Sequence, residues 1–385
     1  MKLAMLTWES LHSIAVGGMS AHVTELAAAI ERKGHEVHVF TRMGENQPYY
    51  EQIDGVHYHR CPFDLDPDFS SEIHNFSRSL VHHVFQTEDY IGPFDLVHGH
   101  DWLTGPALSW IKEGRGRRTA WTVHATEYGR CGNQFWGGNS ERIRGIERGT
   151  AWGADRVLAV SGSVQGEIQW MYEVPSDKIR VVHNAVSPHK YGRWLNPGEV
   201  KGRYGFGPLD PVVLFAGRMV YQKGPDILME AVPKVLNSYG NAKFIFVGDG
   251  DMRQYVEEIA NGNGAAGVCR FLGYVPEDEV INLYNACDVV CIPSRNEPFG
   301  IVVLEAWAAG KPVVVTHSGG PGEYVWHDVN GYMVYQHPES IAWGLGTIMH
   351  NWDHARWMGH NGRIAVETVF NWDTIADRTI WAYWN

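Results

Sequence analysis

Short apolar runs rich in β-branched residues recur along the chain, separated by stretches with helical spacing. In the first half KLAMLTW, HEVHVFTR, VHYHRC, FDLVHGH, RTAWTVHA, DRVLAVS and IRVVHN read as strands. Between the first two lies SAHVTELAAAIERKG, where Val23, Leu26 and Ile30 mark one apolar face and Gly34 is a suitable stop. Such βαβ alternation implies a parallel sheet covered on both faces. The segment 187–211, SPHKYGRWLNPGEVKGRYGFGPLDP, breaks the pattern; rich in Pro and Gly, it reads as a linker. The alternation restarts with VVLFAG, KFIFVG, CRFLGYV, DVVCIPS, KPVVVTH and GYMVY, and the tail from Pro338 reads as helical and Trp-rich. The expected fold class is α/β, two doubly wound domains over 1–186 and 212–369 facing across a cleft. Ligands of such sheets lie beyond the carboxyl ends of the strands.

A length of 385 residues suits two cores. The net charge of −12 argues against non-specific nucleic-acid binding, which depends on neutralising phosphates. The one basic cluster, KEGRGRR at 112–118, reads as a solvated loop, with an anion-binding patch as the sharper alternative. Five Cys, an odd number without a CxxC, suit a reduced, cytoplasmic compartment. The start, MKLAMLTWESLH, is too short and polar for a signal peptide, and no run of ~18 apolar residues suggests a membrane span. The 20 His include no zinc-like spacing such as HExxH, and Val-His alternation puts many of them on strands.

Three βα loops carry candidate chemistry. The first, TWESLHSIAVGGMSAHV, lacks GxGxxG, which counts against a dinucleotide oxidoreductase. Its Gly17 and Gly18 precede a helix, where the backbone can approach an anion; otherwise they make a turn. In FAGRMVYQKGPDIL, Arg218 and Lys223 put two cations at a strand's carboxyl end, able to hold a diphosphate. In EPFGIVVLE the helix is expected to begin near Pro298, with Glu297 at its mouth and the amides of Phe299, Gly300 and Ile301 as free donors. Glu305 lies eight residues on, and at ~3.6 residues per turn both carboxylates should share a helix face. The plainer alternative makes Glu297 a charge that complements the helix dipole. His124, at the end of RTAWTVHA, should reach the cleft.

FAGRMVYQKG followed by EPFGIVVLE resembles the retaining nucleotide-sugar glycosyltransferases of family 4, whose E-x7-E signature matches Glu297 and Glu305. Gly17-Gly18, VGDG at 247–250, FLGYV at 271–275 and WTVHATEYG at 121–129 fit the same family in order, so the similarity spans nearly the whole chain. The resemblance implies the GT-B fold of two Rossmann-like domains, with a last helix over 370–385 crossing back onto the N-terminal domain. It implies that Arg218 and Lys223 bind the donor diphosphate, helped by the Gly18 backbone, and that Gly248 lies at the donor site. By the same resemblance Glu297 contacts the transferred sugar, and the Phe299, Gly300 and Ile301 amides hold its hydroxyls. Glu305 takes the ribose hydroxyls, Leu272 and Tyr274 flank the base, and His124 hydrogen-bonds the sugar. A sister family of bacterial glycogen synthases carries Lys-x-Gly-Gly at the first loop, where this chain has Ala15. DLDPD at 64–68 and DGD at 249–251 contain DxD, a metal–diphosphate motif of a different transferase fold, but Arg218 and Lys223 can do that work, so no metal or other cofactor is expected.

The activity implied is retaining transfer of a hexose, glucose by the look of the long HATEYGRCGNQFWGGN and HGHDW loops, from a UDP- or ADP-sugar to a sugar, sugar-phosphate or glucan acceptor. A nucleotide-sugar 2-epimerase and a non-catalytic nucleotide-sugar-binding subunit are the alternatives. No nucleic-acid partner or membrane association is expected.

Overall fold

The computed structural model describes residues 1–385. The chain divides into two compact units. One comprises 1–128, 134–184 and 372–385; the other comprises 129–133 and 185–371.

In the first unit the chain runs through β1 (Lys2–Leu6), α1 (Gly18–Arg32), β2 (Glu36–Arg42), β3 (Tyr50–Ile53), β4 (Val56–Cys61), α2 (Phe69–Ile91), β5 (Leu96–His100), α3 (Gly105–Arg115), β6 (Thr119–Val123), the short α4 (Glu127–Arg130), α5 (Asn139–Gly153), β7 (Arg156–Ala159), α6 (Gly162–Tyr172) and β8 (Ile179–Val181). The sheet has eight strands in the order β3-β4-β2-β1-β5-β6-β7-β8. Every pair is parallel except β3–β4. β5 and β6 are buried at every position, as a sheet covered on both faces requires. The extra strand β3 was missed by hydrophobic pattern because its residues are mostly exposed. It folds back on β4 through Asp54 (φ 49°) and Gly55 (φ 81°), a two-residue hairpin turn with both φ values positive.

The second unit contains α7 (Pro188–Tyr191), α8 (Pro197–Arg203), β9 (Val212–Ala216), α9 (Pro225–Leu236), β10 (Lys243–Val247), α10 (Arg253–Gly262), β11 (Cys269–Gly273), α11 (Glu277–Ala286), β12 (Val289–Ile292), α12 (Ile301–Ala308), β13 (Val313–Thr316), β14 (Tyr332–Val334), α13 (Pro338–His350) and α14 (Trp352–Thr368). Its six strands are all parallel, in the order β11-β10-β9-β12-β13-β14. Phe215, Phe244, Phe246, Met229, Val232 and Leu345 form part of its core. The segment 187–211, read from sequence as a linker, carries α7 and α8. Lys201 of α8 donates to Asp288 at 2.7 Å, just before β12, which ties this stretch to the second sheet.

The last helix, α15 (Trp372–Trp384), belongs to the first unit. It packs on α1, buries Ile375, Ala376, Ala382 and Tyr383, and pairs Asp373 with Arg32 and Asp377 with Lys33. No helix is long and apolar enough to cross a membrane, and all five Cys are free thiols. The basic cluster 112–118 is largely satisfied within the chain: Lys112 pairs with Asp155, Arg115 with Asp89 and Arg117 with Glu88. In DLDPD, Asp68 caps α2 by accepting from the Ser71 amide at 3.0 Å.

Candidate functional site

In each sheet the connections leave in opposite directions from one pair of neighbouring strands, β1/β5 in the first unit and β9/β12 in the second. That switch point is where open α/β sheets bind ligands. The loops after these four strands hold Gly17 and Gly18, the end of HGHDW, Arg218 with Lys223, and Glu297.

The second unit holds the densest polar constellation. Glu297 is 5% exposed. Lys223 Nζ donates to both of its carboxylate oxygens, at 2.9 and 2.8 Å, and Ser294 Oγ donates to Oε2 at 2.8 Å. Its backbone is pinned as well. Glu297 N donates to Ser318 O at 3.1 Å, and Gly320 N donates to Glu297 O at 2.9 Å. The approach of these two loops requires glycine: Gly319 has φ 88°, and a Cβ there would lie 2.2 Å from Glu297 O.

This arrangement corrects two sequence expectations. The helix begins at Ile301, not near Pro298, with Gly300 at the N-cap in a left-handed conformation (φ 95°). Tyr324 OH donates to Phe299 O, which holds EPFG as a turn rather than a first helical turn. Helical periodicity therefore does not relate Glu297 to Glu305. Glu305 lies within α12, half-buried, and accepts from Tyr284 OH at 2.7 Å. Burial raises its pKa above the usual carboxylate value, partly offset by hydrogen bonds from Tyr284 and Tyr191. At the start of α12, Val303 N donates to Gly300 O at 2.9 Å.

The loop after β9 is built to hold two cations. Arg218 is exposed, its Nη2 3.5 Å from Gln222 Oε1. Arg295 donates to Tyr221 O and Asp226 at 2.9 Å each, and its amide donates to Gln222 O at 2.8 Å, so the Lys223 turn is fastened to the Glu297 loop. Gly248 supports the same loop from below. A Cβ on it would lie 2.0 Å from Gly217 O, and Met219 N bonds Asp249 O at 2.9 Å. Leu272 lies in β11 and Tyr274 just beyond it; Gly248 N bonds Gly273 O at 2.8 Å, so both flank the Gly248 turn, with Tyr274 exposed.

In the first unit Gly17 is the N-cap of α1 and Gly18 its first residue. The Gly17 amide already has an anionic partner: Glu9 Oε2 accepts from Gly17 N and Val16 N at 2.8 Å each. Glu9 is buried, and burial raises its pKa against the lowering effect of those two amides. His124 follows β6, half-buried, its Nε2 3.2 Å from His100 Nδ1. Burial pushes its pKa down to about 3, so the ring is neutral.

Sequence reading missed Glu9, Ser294, Tyr284, Tyr324, Gly319 and Gly320. Of these, SGGPG carried a usable signal, an adjacent glycine pair straight after a strand run.

Two α/β units carrying this cationic loop and buried carboxylate define a two-domain GT-B architecture of the kind used by nucleotide-sugar transferases. Residues 16–190 match the family model described as Glycosyltransferase Family 4, and residues 199–365 match Glycosyl transferases group 1. An uncharacterized glycosyltransferase of Methanocaldococcus jannaschii is 36% identical over the full length of this chain and 98% of its own. Glycogen synthase of Mycobacterium tuberculosis is 26% identical, covering 100% of this chain and 94% of its own. Among solved structures, sucrose-phosphate synthase of Thermosynechococcus elongatus aligns with a TM-score of 0.83 at 22% identity, over 100% of this chain and 98% of its own. The chain belongs to the family 4, group 1 glycosyltransferases.

Proposed function

We propose that this glycosyltransferase moves a hexose, glucose in the first instance, from a UDP- or ADP-sugar to a hydroxyl of a sugar, sugar phosphate or glucan, with retention at the anomeric carbon and without a metal on the diphosphate. The observation that carries the reading is the fastened pair of loops in which Lys223 grips buried Glu297 beside exposed Arg218. The names of the glycogen synthase and sucrose-phosphate synthase relatives favour glucose and acceptors of this class.

In this reading Arg218 and Lys223 neutralise the diphosphate as it departs, the kind of preorganised charge that contributes most to such a step. The bond from the anomeric carbon to the phosphate oxygen breaks, and the acceptor oxygen bonds to the same face. The acceptor proton goes to the leaving phosphate oxygen. Glu297 and the amides of Phe299, Gly300 and Ile301 hold the sugar hydroxyls, and His124 and the Gly18 backbone contribute from the first unit. Glu305 accepts from the ribose hydroxyls, and Leu272 and Tyr274 flank the base.

The test is nucleoside-diphosphate release from UDP-, ADP- and GDP-glucose with and without a panel of soluble glucans, sugars and sugar phosphates, with the product's anomer read by NMR. Acceptor-dependent release with an α-linked product supports the reading. A β-linked product from an α-linked donor rejects retention. Release without acceptor, together with a 2-epimerised free sugar, makes the chain an epimerase instead.

A further inference from the structure

The first unit contains a histidine cluster that the transfer chemistry does not use as a cluster. His22 projects from α1, His100 ends β5 and His124 follows β6. The three side chains can each direct one ring nitrogen to a common point, with those nitrogens all within 4.8 Å of one another. The rings pack at centroid separations of 4.6 Å (His22–His124), 5.4 Å (His22–His100) and 5.5 Å (His100–His124).

Hydrogen bonding leaves this cluster unfinished. His22 is 3% exposed, and neither of its ring nitrogens has a hydrogen-bond partner. His100 is fully buried, and its Nε2 is likewise unpartnered. Buried polar atoms are nearly always satisfied, so a buried His22 ring without a hydrogen-bond partner, facing the His100–His124 pair, calls for an occupant. The adjacent His98 shows what completion looks like here: Nε2 meets Thr122 Oγ1 at 2.7 Å and Nδ1 meets Tyr383 OH at 2.9 Å.

We propose that His22, His100 and His124 bind a single divalent transition-metal ion, zinc by preference. Four-coordinate zinc holds imidazole nitrogens at about 2.0–2.1 Å, which sets neighbouring ligand nitrogens roughly 3.4 Å apart. The His100 Nδ1 to His124 Nε2 separation of 3.2 Å already matches one such edge. The rest closes by turning the His22 ring. Burial holds all three imidazoles in the neutral form that ligates metals. An all-nitrogen set selects zinc, copper or nickel over magnesium and calcium, which take oxygen ligands. Three ligands leave a fourth position for water, on the side where His124 is only half-buried. Asn184 supplies an outer acceptor. It is buried, its Oδ1 has no hydrogen bond, and it lies beside His22, where it can fix the ring N–H that faces away from the ion.

This ion is not a cofactor for the diphosphate, whose cations Arg218 and Lys223 belong to the other unit. Metal uptake also stands or falls independently of the sugar contact proposed for His124. The experiment uses the full chain stripped with a chelator and titrated with Co²⁺, followed by displacement with Zn²⁺. One equivalent should bind with the visible absorption of four-coordinate cobalt, and one equivalent of zinc should abolish it. Paramagnetic shifts in the wild-type protein should appear on the ring protons of His22, His100 and His124, a readout that needs no variant. His22→Phe and His100→Phe should each weaken binding at least tenfold, while His57→Ala, in a separate histidine group, leaves it unchanged. Failure of the wild type to take up either ion more tightly than about 0.1 mM overturns the proposal. So do cobalt shifts confined to other histidines, or undiminished binding in both Phe variants.

Discussion

Glu297 is a carboxylate held almost out of water by one lysine and one serine. Removing the lysine leaves an anion whose burial is no longer compensated. Lys223→Ala should therefore destabilise the protein, by about 1–3 kcal/mol because the lysine is itself partly solvated; chemical denaturation with matched slopes measures it. The same change should lower kcat about 100-fold or more, and saturating donor should not restore it, if Lys223 acts on the departing diphosphate. Full rescue by donor would remove that transition-state role. Glu305 sits differently. Its carboxylate is held by two tyrosine hydroxyls, Tyr284 and Tyr191. Glu305→Ala should raise the donor KM about tenfold while kcat stays within about threefold, the signature of lost ground-state binding. A steady-state KM and kcat series separates Lys223, the partner of Glu297, from Glu305; the sequence spacing alone had placed the two carboxylates on one helical face.

The strands and most helices were legible because parallel strands buried on both faces write continuous apolar runs, as in VVLFAG and KPVVVTH. β3 was not, since an exposed edge strand has no such run; only the DG pair of its hairpin marked it. Arg218, Lys223 and Glu297 were singled out because strand ends locate the binding edge of such sheets, and the structure joins Lys223 to Glu297. The true start of α12 was hidden because Tyr324, 25 residues away, decides the Phe299 turn through a hydrogen bond. The three-histidine cluster was invisible for the same reason: local spacing carries no trace of a site assembled from α1, β5 and the end of β6. Loop support is equally non-local. Gly248→Ala places a Cβ on Gly217 O and distorts the Arg218 loop, so it should lower donor affinity and cost about 1–3 kcal/mol of stability. Calorimetry with UDP and ADP, beside a thermal melt, checks both. Between the neighbouring strands β2 and β4, His38 Nδ1 and His59 Nε2 share one hydrogen bond at 2.9 Å. Burial lowers both pKa values, that of His59 to about 3. The unfolded chain therefore binds more protons than the folded one between these values and the ordinary 6.5. Stability is present in full above that pH and is lost as pH falls through the window. The Tm of His59→Gln should decline less steeply than wild type between pH 6.5 and 5; an unchanged slope would acquit this residue.

At the scale of the whole molecule, the first unit is not one continuous stretch of chain. It leaves at Asn184 and is completed only by 372–385. α15 is more than a peripheral tail. Ile375, Ala376, Ala382 and Tyr383 are fully buried, and Tyr383 OH bonds the buried His98 at Nδ1. At about 25 cal/mol per Å² of apolar surface, losing four such side chains costs several kcal/mol, comparable to the whole stability of a domain. The second unit has no comparable debt, since 185–371 holds its complete sheet and core. Truncation after Asn371 should therefore collapse the first unit selectively. The measurement is hydrogen exchange on the truncated chain. Amides of β1, β5 and β6 should lose protection while those of β9, β10 and β12 keep it, and a nucleoside diphosphate should still bind to the loops of Arg218 and Lys223. Tyr383→Phe isolates the hydrogen bond from the packing and should cost only about 1–2 kcal/mol, leaving both units folded. If the truncated chain retains full protection in β1 and β5, the last helix is an accessory, and the first core is closed by residues 1–184 alone.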